Sequence, residues 1–311
     1  MDINSFGDLS NHVLECFQAE EYQQAYRVVT RHGDRFPEER WHIDYWRMIL
    51  SVLVGKGKRA NVILREALEG GMWWPERYLE QEEFEPHLDR SLVERCYQHR
   101  DRERATSKPH LLLERAEHSK SLDPLLFVIH RNHSNAVRER TAWLPALKLG
   151  WNLALPQSSQ LVGHAVHVWD DRGRALDELE THLTSVSKLG GGRPSKLVFA
   201  GNVTGGNLAV RLALQEGSSA AGFITLSPYV PDLEETFEPL IRAASLPHLR
   251  GVITIGERDS RCYHGAVTLA ALLREAGAKI DLRQYSGFTQ GYPPDFNSLL
   301  PQALDFNTNQ L

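Results

Sequence analysis

Hydrophobic residues in the first third of the chain recur at helical spacing. The first stripe consists of four residues that one helical face would carry, at i, i+4, i+7 and i+8: Leu9, Val13, Cys16 and Phe17. Later stripes follow the same rule, and two of them stop near Gly33 and Gly70, residues that favour helix termination. The pattern predicts that residues 1–107 form an all-helical domain.

Two of the shorter predicted helices carry an alanine at matching places. Ala25 and Ala60 lie 35 residues apart, close to the ~34-residue period of tetratricopeptide repeats. A small residue at this place lets paired helices approach closely. The segment therefore resembles a tetratricopeptide helical hairpin, and such helices imply a surface for a protein partner. The alternative is a small helical bundle that caps the second domain.

From residue 108 onward, short apolar runs alternate with helical stretches. Runs of this length and composition suit strands buried on both faces of a parallel sheet. The predicted strands are 111–113, 125–129, 151–155, 166–169, 196–200, 222–226, 251–255 and 279–285, and the predicted helices include 174–188, 206–215 and 265–276. The alternation predicts an α/β domain over residues 108–311, with a mostly parallel sheet flanked by helices. Ligands of such sheets bind in loops at the carboxyl ends of the strands.

Composition narrows the class of protein. The 311 residues are 41% hydrophobic and 24% charged, which suits two folded domains and is too balanced for a disordered chain. The net charge of −5 argues against nucleic-acid binding, which requires clustered positive charge. Three separated cysteines without a C-x-x-C pair favour a reducing cytoplasm over a disulfide scaffold. The sequence shows no signal-peptide pattern and no apolar run of the ~20 residues that a membrane span needs.

One predicted strand, 196–200, runs directly into a glycine-rich turn and then an alanine- and leucine-rich helix. The turn reads Gly201-Asn-Val203-Thr-Gly205-Gly206. This is the layout of the nucleophile elbow G-x-S-x-G, in which glycines flank a strained turn. At these residues the chain resembles the α/β-hydrolase superfamily, and within it the phospholipase/carboxylesterase branch that includes acyl-protein thioesterases.

Four further segments support this resemblance in the order that the family requires. Residues 127–135 resemble the strand and loop that supply an oxyanion-hole amide, and residues 155–171, with Trp169, are similar to the substrate-side loop. Residues 256–259 match the turn of the triad acid, and residues 287–296 resemble the late loop of the triad histidine. The resemblance covers about 115–300. It implies an α/β-hydrolase fold and chemistry on acyl esters.

The residues at the triad positions depart from the family pattern. Val203 stands where the family has serine and carries no nucleophilic atom, and Gln290 stands where the family has histidine and cannot cycle a proton near neutral pH. Only the acid, Asp259, remains. In the oxyanion loop, His130 is followed by Arg131 in place of glycine. Because the covalent route needs an activated nucleophile, the sequence predicts a non-catalytic protein that binds a ligand or a partner.

The alternative is an active carboxylesterase or thioesterase with a displaced nucleophile. Thr204 carries a hydroxyl next to Val203, but the elbow projects its central residue into the pocket, so a nucleophilic Thr204 would need a one-residue slip. The simpler interpretation is a polar turn residue that caps the helix at 205–206. Cys262 lies two residues from His264, yet such neighbours need not face each other. If the side chain of Arg131 enters the pocket, it could hold a carboxylate or phosphate bidentately.

The sequence predicts neither a cofactor nor a metal. Two H-x-x-H spacings occur, at His130/His133 and at His164/His167, but both lack the intervening glutamate of helical zinc motifs and fall on strand or loop segments. The expected partners are a small acyl or anionic ligand at the strand ends and a protein partner on the N-terminal helices.

Overall fold

A computed structural model describes residues 3–231, 233–244 and 246–308. The chain divides into two compact units. The first comprises the part up to Ser107 together with Leu161–Val166, and the second comprises Lys108–Gln160 together with the part from His167 onward. The sequence pattern predicts a division at residues 107 and 108 but gives no sign that residues 161–166 return to the first unit.

The first unit is helical. Its helices are α1 (Phe6–Gln18), α2 (Tyr22–His32), α3 (Arg40–Leu53), α4 (Gly57–Glu69), α5 (Glu76–Leu79) and α6 (Arg90–Thr106). Short 3-10 turns occupy Gly33–Arg35, Pro37–Glu39 and Glu85–His87. Ser5 and Asp8 form a reciprocal capping box at the start of α1, which satisfies amides that the first turn leaves without partners.

The core of the first unit collects the apolar faces of these helices. Ala25 and Ala60 are fully buried, as expected where two helices approach closely. Trp41 donates from its indole nitrogen to the Trp73 carbonyl at 3.0 Å. A Cβ on Gly163 would lie 2.2 Å from that indole nitrogen, so the returning segment reaches the Trp41 ring only because this position is glycine.

The second unit alternates strands and helices. The strands are β1 (His110–Glu114), β2 (Leu125–Ile129), β3 (Asn152–Gln157), β4 (Gln160–Gly163), β5 (Val166–Val168), β6 (Leu197–Asn202), β7 (Ala220–Leu226), β8 (Arg250–Gly256) and β9 (Lys279–Tyr285). All belong to the second unit except β4 and β5, which cross the two ends of the segment Leu161–Val166. The helices of the second unit are α7 (Ala136–Trp143), α8 (Pro145–Lys148), α9 (Arg172–Gly190), α10 (Thr204–Leu214), α11 (Glu238–Ala243), α12 (Tyr263–Glu275) and α13 (Phe296–Thr308). A π-helical turn, Leu233–Phe237, precedes α11.

Seven strands form one sheet in the order β1-β3-β2-β6-β7-β8-β9. All neighbours pair in parallel except β1, which runs antiparallel to β3. The run predicted as a sheet strand at 166–169 forms β5 and pairs with β4 in a separate two-stranded ribbon. Only two residues join β4 and β5, and Ala165 there has φ 53°, a conformation typical of tight hairpin turns.

Helices cover both faces of the sheet. One core contains side chains of α9, α10 and α12, and the other contains side chains of α7, α8 and α13. Alternate strand residues divide between the two, so that Phe199 joins the first core and Val198 the second. The parallel strands thus end at one edge, where the loops that carry the candidate residues begin. Among the helices of the described residues, none combines the length and hydropathy that crossing a bilayer demands.

Candidate active site

The chain turns sharply at Val203, between β6 and α10. Val203 has φ 53° and ψ −110°, a conformation that β-branched residues rarely adopt. Its amide donates to the Leu226 carbonyl at 2.9 Å, and its carbonyl accepts from the Tyr229 amide at 3.2 Å. These bonds hold the backbone in the strained strand-to-helix geometry of a nucleophile elbow.

The glycines around Val203 are required by close packing. A Cβ on Gly205 would lie 2.1 Å from the Ile129 carbonyl oxygen, and a Cβ on Gly206 would lie 2.0 Å from Thr225 Oγ1. A Cβ on Gly201 would lie 2.4 Å from the Gly205 carbonyl carbon. The first turn of α10 therefore rests directly on the ends of β2 and β7. This packing needs the glycines whether or not the turn carries a nucleophile.

The side chain at the centre of the elbow is apolar. Val203 is 8% exposed, and its two methyl groups offer no atom that could attack a carbonyl carbon. Thr204 is the first residue of α10, and Val203 occupies the capping position without a side-chain hydrogen bond. The expectation that Thr204 caps this helix is therefore wrong, because the residue lies inside the helix and not before it.

Three buried polar side chains beside the elbow have an atom without a hydrogen-bond partner among the described residues, Asn202 Oδ1, Thr225 Oγ1 and Ser227 Oγ. Thr225 Oγ1 packs against Gly206 in the first turn of α10, whereas the other two lie where strands end. Asn202 ends β6, and Ser227 follows β7, the neighbouring strand. Both are almost fully buried, and Ser227 has φ 46°. Buried polar atoms normally have a partner, so these two mark a place where a polar group from outside the chain would bind. Sequence analysis missed Ser227, because nothing in the sequence marks its backbone conformation.

Asp259 and Gln290, the residues predicted at the acid and histidine positions of the triad, lie in contact. Gln290 Nε2 donates to Asp259 Oδ2 at 3.4 Å, and the amide of Cys262 donates to Asp259 Oδ1 at 3.1 Å. Asp259 is 1% exposed. An amide donor therefore stands where an imidazole would stand, and it satisfies the carboxylate as an imidazole N–H would.

Backbone bonds hold the acid loop and the late loop together. The Arg258 amide donates to the Phe288 carbonyl at 3.0 Å. A Cβ on Gly256 would lie 2.3 Å from the Thr289 carbonyl oxygen. The late loop can therefore cross the end of β8 only because residue 256 has no side chain. The proximity of Gln290 to Asp259 thus follows from the loop packing.

The Asp259–Gln290 pair cannot carry a proton between substrate and acid. Burial raises the pKa of the Asp259 carboxyl, and the hydrogen bonds from Cys262 and Gln290 oppose that rise. A carboxamide neither gains nor loses a proton near neutral pH, so Gln290 cannot act as the general base. The pair keeps the geometry of the acid–base dyad without its chemistry.

Cys262 does not provide a replacement nucleophile. Its side chain is 1% exposed, and burial together with the charge of Asp259 raises the pKa of the thiol well above its ordinary value. The thiolate, which is the reactive form, is therefore disfavoured. Cys262 lies at the capping position of α12 and His264 lies within that helix.

His130 is a structural residue of the oxyanion loop. It is fully buried, its Nδ1 lies 2.8 Å from the Arg131 carbonyl, and its Nε2 accepts from the Ser158 amide at 3.2 Å. The Trp169 ring packs against it with centroids 4.8 Å apart, and the indole nitrogen donates to the His130 carbonyl at 2.9 Å. Burial lowers the pKa of His130 to about 3, so the ring is neutral and bound at both nitrogens near neutral pH.

A buried carboxylate lies next to the same loop. Glu139 on α7 is 3% exposed and accepts from the Tyr292 hydroxyl and, at 3.5 Å, from the Arg131 amide. Trp143 Nε1 donates to the Tyr292 hydroxyl at 2.9 Å. The Arg131 amide therefore faces a protein carboxylate and not a substrate oxyanion.

The charge of Arg131 lies near this network. Burial raises the pKa of Tyr292, the Glu139 carboxylate adds to that rise, and the charge of Arg131 opposes it. Sequence analysis missed Glu139. It singled out the late loop that contains Tyr292, but a bond between residues 153 positions apart leaves no local signal.

The predicted site residues fall into two groups. Asp259 contacts Gln290 directly, whereas Val203 follows β6, which is separated from β8 by β7 alone. Because β6, β7 and β8 run parallel, the elbow after β6 and the Asp259 loop after β8 lie at the same edge of the sheet. Two strand spacings separate the ends of β6 and β8 by roughly 10 Å.

The histidine pairs make other contacts. His164 Nδ1 lies 2.7 Å from a Glu103 carboxylate oxygen, and the His133 amide donates to the His167 carbonyl. Across residues 3–231, 233–244 and 246–308, no three His, Cys, Asp or Glu side chains are grouped so that they could hold a metal ion.

Comparison with known proteins identifies the fold. Residues 5–103 match the family described as "A/B hydrolase-like, N-terminal domain". No curated protein matches the chain. Among solved structures, an uncharacterized protein from Bacillus cereus ATCC 10987 is 22% identical with a TM-score of 0.56, and the match covers 96% of this chain and 97% of that one.

Two esterase structures match over part of the chain. Esterase PE8 is 15% identical with a TM-score of 0.53, over 63% of this chain and 99% of that one. The Bacillus cereus carboxylesterase is 14% identical with a TM-score of 0.53, over 66% of this chain and 97% of that one. These likenesses confirm the predicted fold class, an α/β-hydrolase fold with an N-terminal helical region.

Proposed function

We propose that this chain is an α/β-hydrolase-fold protein that has lost ester hydrolysis and acts by binding. The observation that carries the proposal is the pair of substitutions around a retained acid: Val203 at the strained elbow, and Gln290 hydrogen-bonded to Asp259. The backbone of the hydrolytic site is kept while the nucleophile and the base are both missing. Oxyanion stabilisation alone accelerates hydrolysis far less than a complete triad.

The bound species is a small acyl or anionic ligand at the carboxyl ends of β6 and β7. The unpartnered atoms Ser227 Oγ and Asn202 Oδ1 support this location, because a polar ligand group would satisfy them. The helices before residue 108 form a separate domain, similar to a tetratricopeptide hairpin, that serves a protein partner. The protein acts in the cytoplasm, consistent with three free cysteines.

A second candidate function is ester or thioester hydrolysis with a displaced hydroxyl. Thr204 is the candidate that adjoins the elbow in sequence, and Ser227 is the candidate with an unpartnered hydroxyl. Ser227 is less suited as a nucleophile than as a ligand contact, because its hydroxyl has no hydrogen-bond partner among the described residues and therefore no general base to activate it.

The test is hydrolysis of nitrophenyl acetate, butyrate and octanoate by the intact protein. Wild type, Thr204→Ala and Ser227→Ala are all expected to match the buffer rate. The double variant Val203→Ser with Gln290→His is expected to exceed wild type by at least about 100-fold, because it restores nucleophile and base beside Asp259. Circular dichroism confirms that each variant is folded.

Two outcomes contradict the proposal. Wild-type turnover that disappears in Thr204→Ala or in Ser227→Ala identifies a displaced nucleophile. Turnover that co-purifies with the protein and survives both substitutions places catalysis elsewhere in the chain.

A further inference from the structure

The helical unit contains a cavity of about 410 Å³ between α2, α3 and α4. Its volume lies within the range of small-molecule sites. Apolar side chains contribute to its lining, among them Phe36 between the two 3-10 turns that follow α2, Ile43 of α3 and Ile63 of α4. The cavity can therefore accommodate the apolar body of a small organic molecule.

One wall carries charges that neutralise each other. Arg40 Nε lies 3.0 Å from Asp44 Oδ2, and Arg47 Nη1 lies 3.6 Å from Asp44 Oδ1. Arg47 Nη2 also lies 2.8 Å from Asp34 Oδ1. Two guanidinium groups thus face two carboxylates, and this wall presents no net charge to a ligand.

The opposite wall, formed by α4, is polarised. Arg59, Ile63 and Glu66 line the cavity at i, i+4 and i+7, so Arg59 and Glu66 are separated by roughly 10 Å along the helix. Among the residues that the structure describes, no acidic side chain pairs with Arg59. One turn before it, Lys56 Nζ lies 4.5 Å from the ring centroid of Tyr26. The Arg59 end of the cavity is therefore positive, and the Glu66 end is negative.

Hydroxyl groups of α2 also line the cavity, and Tyr26 is in contact with Lys56 near the positive end. Tyr26 and Thr30 are four residues apart on α2 and both line the cavity. A guanidinium binds carboxylate and phosphate oxygens with two parallel hydrogen bonds, and a nearby hydroxyl can donate a further one. The positive end thus offers the donors that an oxyanion requires, next to the apolar surface of Ile63.

We propose that this cavity binds an amphipathic organic anion, with its carboxylate or phosphate on Arg59 and its apolar body against Ile63 and Phe36. Lys56 and the Tyr26 hydroxyl strengthen the binding of the anionic group. The site lies wholly in the helical unit, and it does not depend on whether the hydrolase unit is catalytic.

Calorimetric titration of the full chain tests the site with three probes of one chain length: octanoate, octyl phosphate and octylammonium. The two anions are expected to bind saturably, and octylammonium at least about tenfold more weakly, because only the anions match Arg59. The tighter of the two anions shows whether the site prefers a carboxylate or a phosphate.

A matched pair of charge deletions locates the binding. Arg59→Gln is expected to weaken anion binding by about tenfold or more. Lys58→Gln removes the same charge from the adjacent exposed position of α4, outside the cavity lining, and should change affinity less than about twofold. Glu66→Gln should not weaken it. Both deletions are at exposed positions, and thermal unfolding checks that each variant is folded.

The proposal is overturned if neither anion binds saturably to wild type. It is also overturned if octylammonium binds as tightly as octanoate, or if Arg59→Gln and Lys58→Gln reduce affinity equally. Loss of anion binding in Arg59→Gln, together with unchanged esterase measurements, separates this site from the hydrolase unit.

Discussion

The elbow after β6 and the acid loop after β8 differ in the contacts that define them. At the elbow the backbone is preserved: Val203 holds a strained conformation, and Gly205 leaves no room for a side chain. At the acid loop a side-chain contact is preserved: Asp259 still receives a hydrogen bond where a histidine would donate one. The elbow is held by steric packing, and the acid loop by backbone bonds to the late loop, which bring Gln290 to the buried Asp259 carboxyl.

This difference shows which motif residues report on catalysis. The elbow glycines are demanded by the contact of α10 with β2 and β7, so they persist without a nucleophile. Asp259 persists with a neutral amide as its partner, so an acid in this place does not establish a working dyad either. The proposed loss of hydrolysis therefore rests on the residues at 203 and 290 and not on the glycines or the acid.

The largest expected effect comes from crowding the elbow. Gly205→Ala should destabilise the protein by at least about 3 kcal/mol, because its Cβ would lie 2.1 Å from the backbone oxygen of Ile129. Chemical denaturation measures the loss. The control is Gly173→Ala in α9, whose Cβ would meet only Asp171 Oδ1 at 3.6 Å and should gain up to about 1 kcal/mol. Equal effects at the two glycines would show that the elbow is not sterically determined.

Removal of the Asp259 charge should stabilise the protein, whereas crowding the elbow should destabilise it. Burial raises the pKa of Asp259, so between the ordinary and the raised value the folded state binds more protons than the unfolded state. Stability then falls as pH rises through that window, and the full penalty is present at neutral pH. Asp259→Asn, with the Gln290 amide turned to accept from it, should raise the melting temperature at neutral pH by roughly 2–4 °C.

The pH dependence of that gain is the decisive measurement. Thermal unfolding of Asp259→Asn and wild type should converge as pH falls below the ordinary aspartate range near 4, where both side chains are neutral. Asp305→Asn, an exposed position on α13, serves as the control and should show no such trend. If Asp259→Asn is less stable than wild type at every pH, the carboxylate itself stabilises the loop and the proposed penalty is absent.

The smallest effect is expected at the centre of the elbow. Val203→Gly removes a buried side chain but also relieves backbone strain of about 1–3 kcal/mol, so its net cost should stay within about 1 kcal/mol. Val210→Gly, the same change at a fully buried position of regular α10, should cost roughly 3–4 kcal/mol. Denaturant midpoints of the two variants measure the difference. Equal costs would mean that residue 203 is not strained.

The sequence alone determined the architecture, and it carries the residues on which the proposed loss of hydrolysis rests. Local periodicity separates a helical first third from an alternating strand–helix region, and it predicts β2 and β9 with their observed bounds. The elbow was predictable because its glycines and its central residue are adjacent in the chain. The absence of serine and histidine at 203 and 290 needs no coordinates once the motifs are placed.

The tertiary structure alone decided the rest, because it depends on contacts between residues distant in sequence. Periodicity does not specify which strand or unit a segment contacts. It therefore predicts neither the antiparallel pairing of β1 with β3, nor the ribbon of β4 with β5, nor the return of residues 161–166 to the helical unit. The Glu139–Tyr292 bond, the unpartnered Ser227 hydroxyl and the polarised wall of α4 arise in the same way. A hydrophobic pattern shows which face of a helix or strand is buried. Which hydrogen-bond or charge partner a polar group has is decided only by the folded chain.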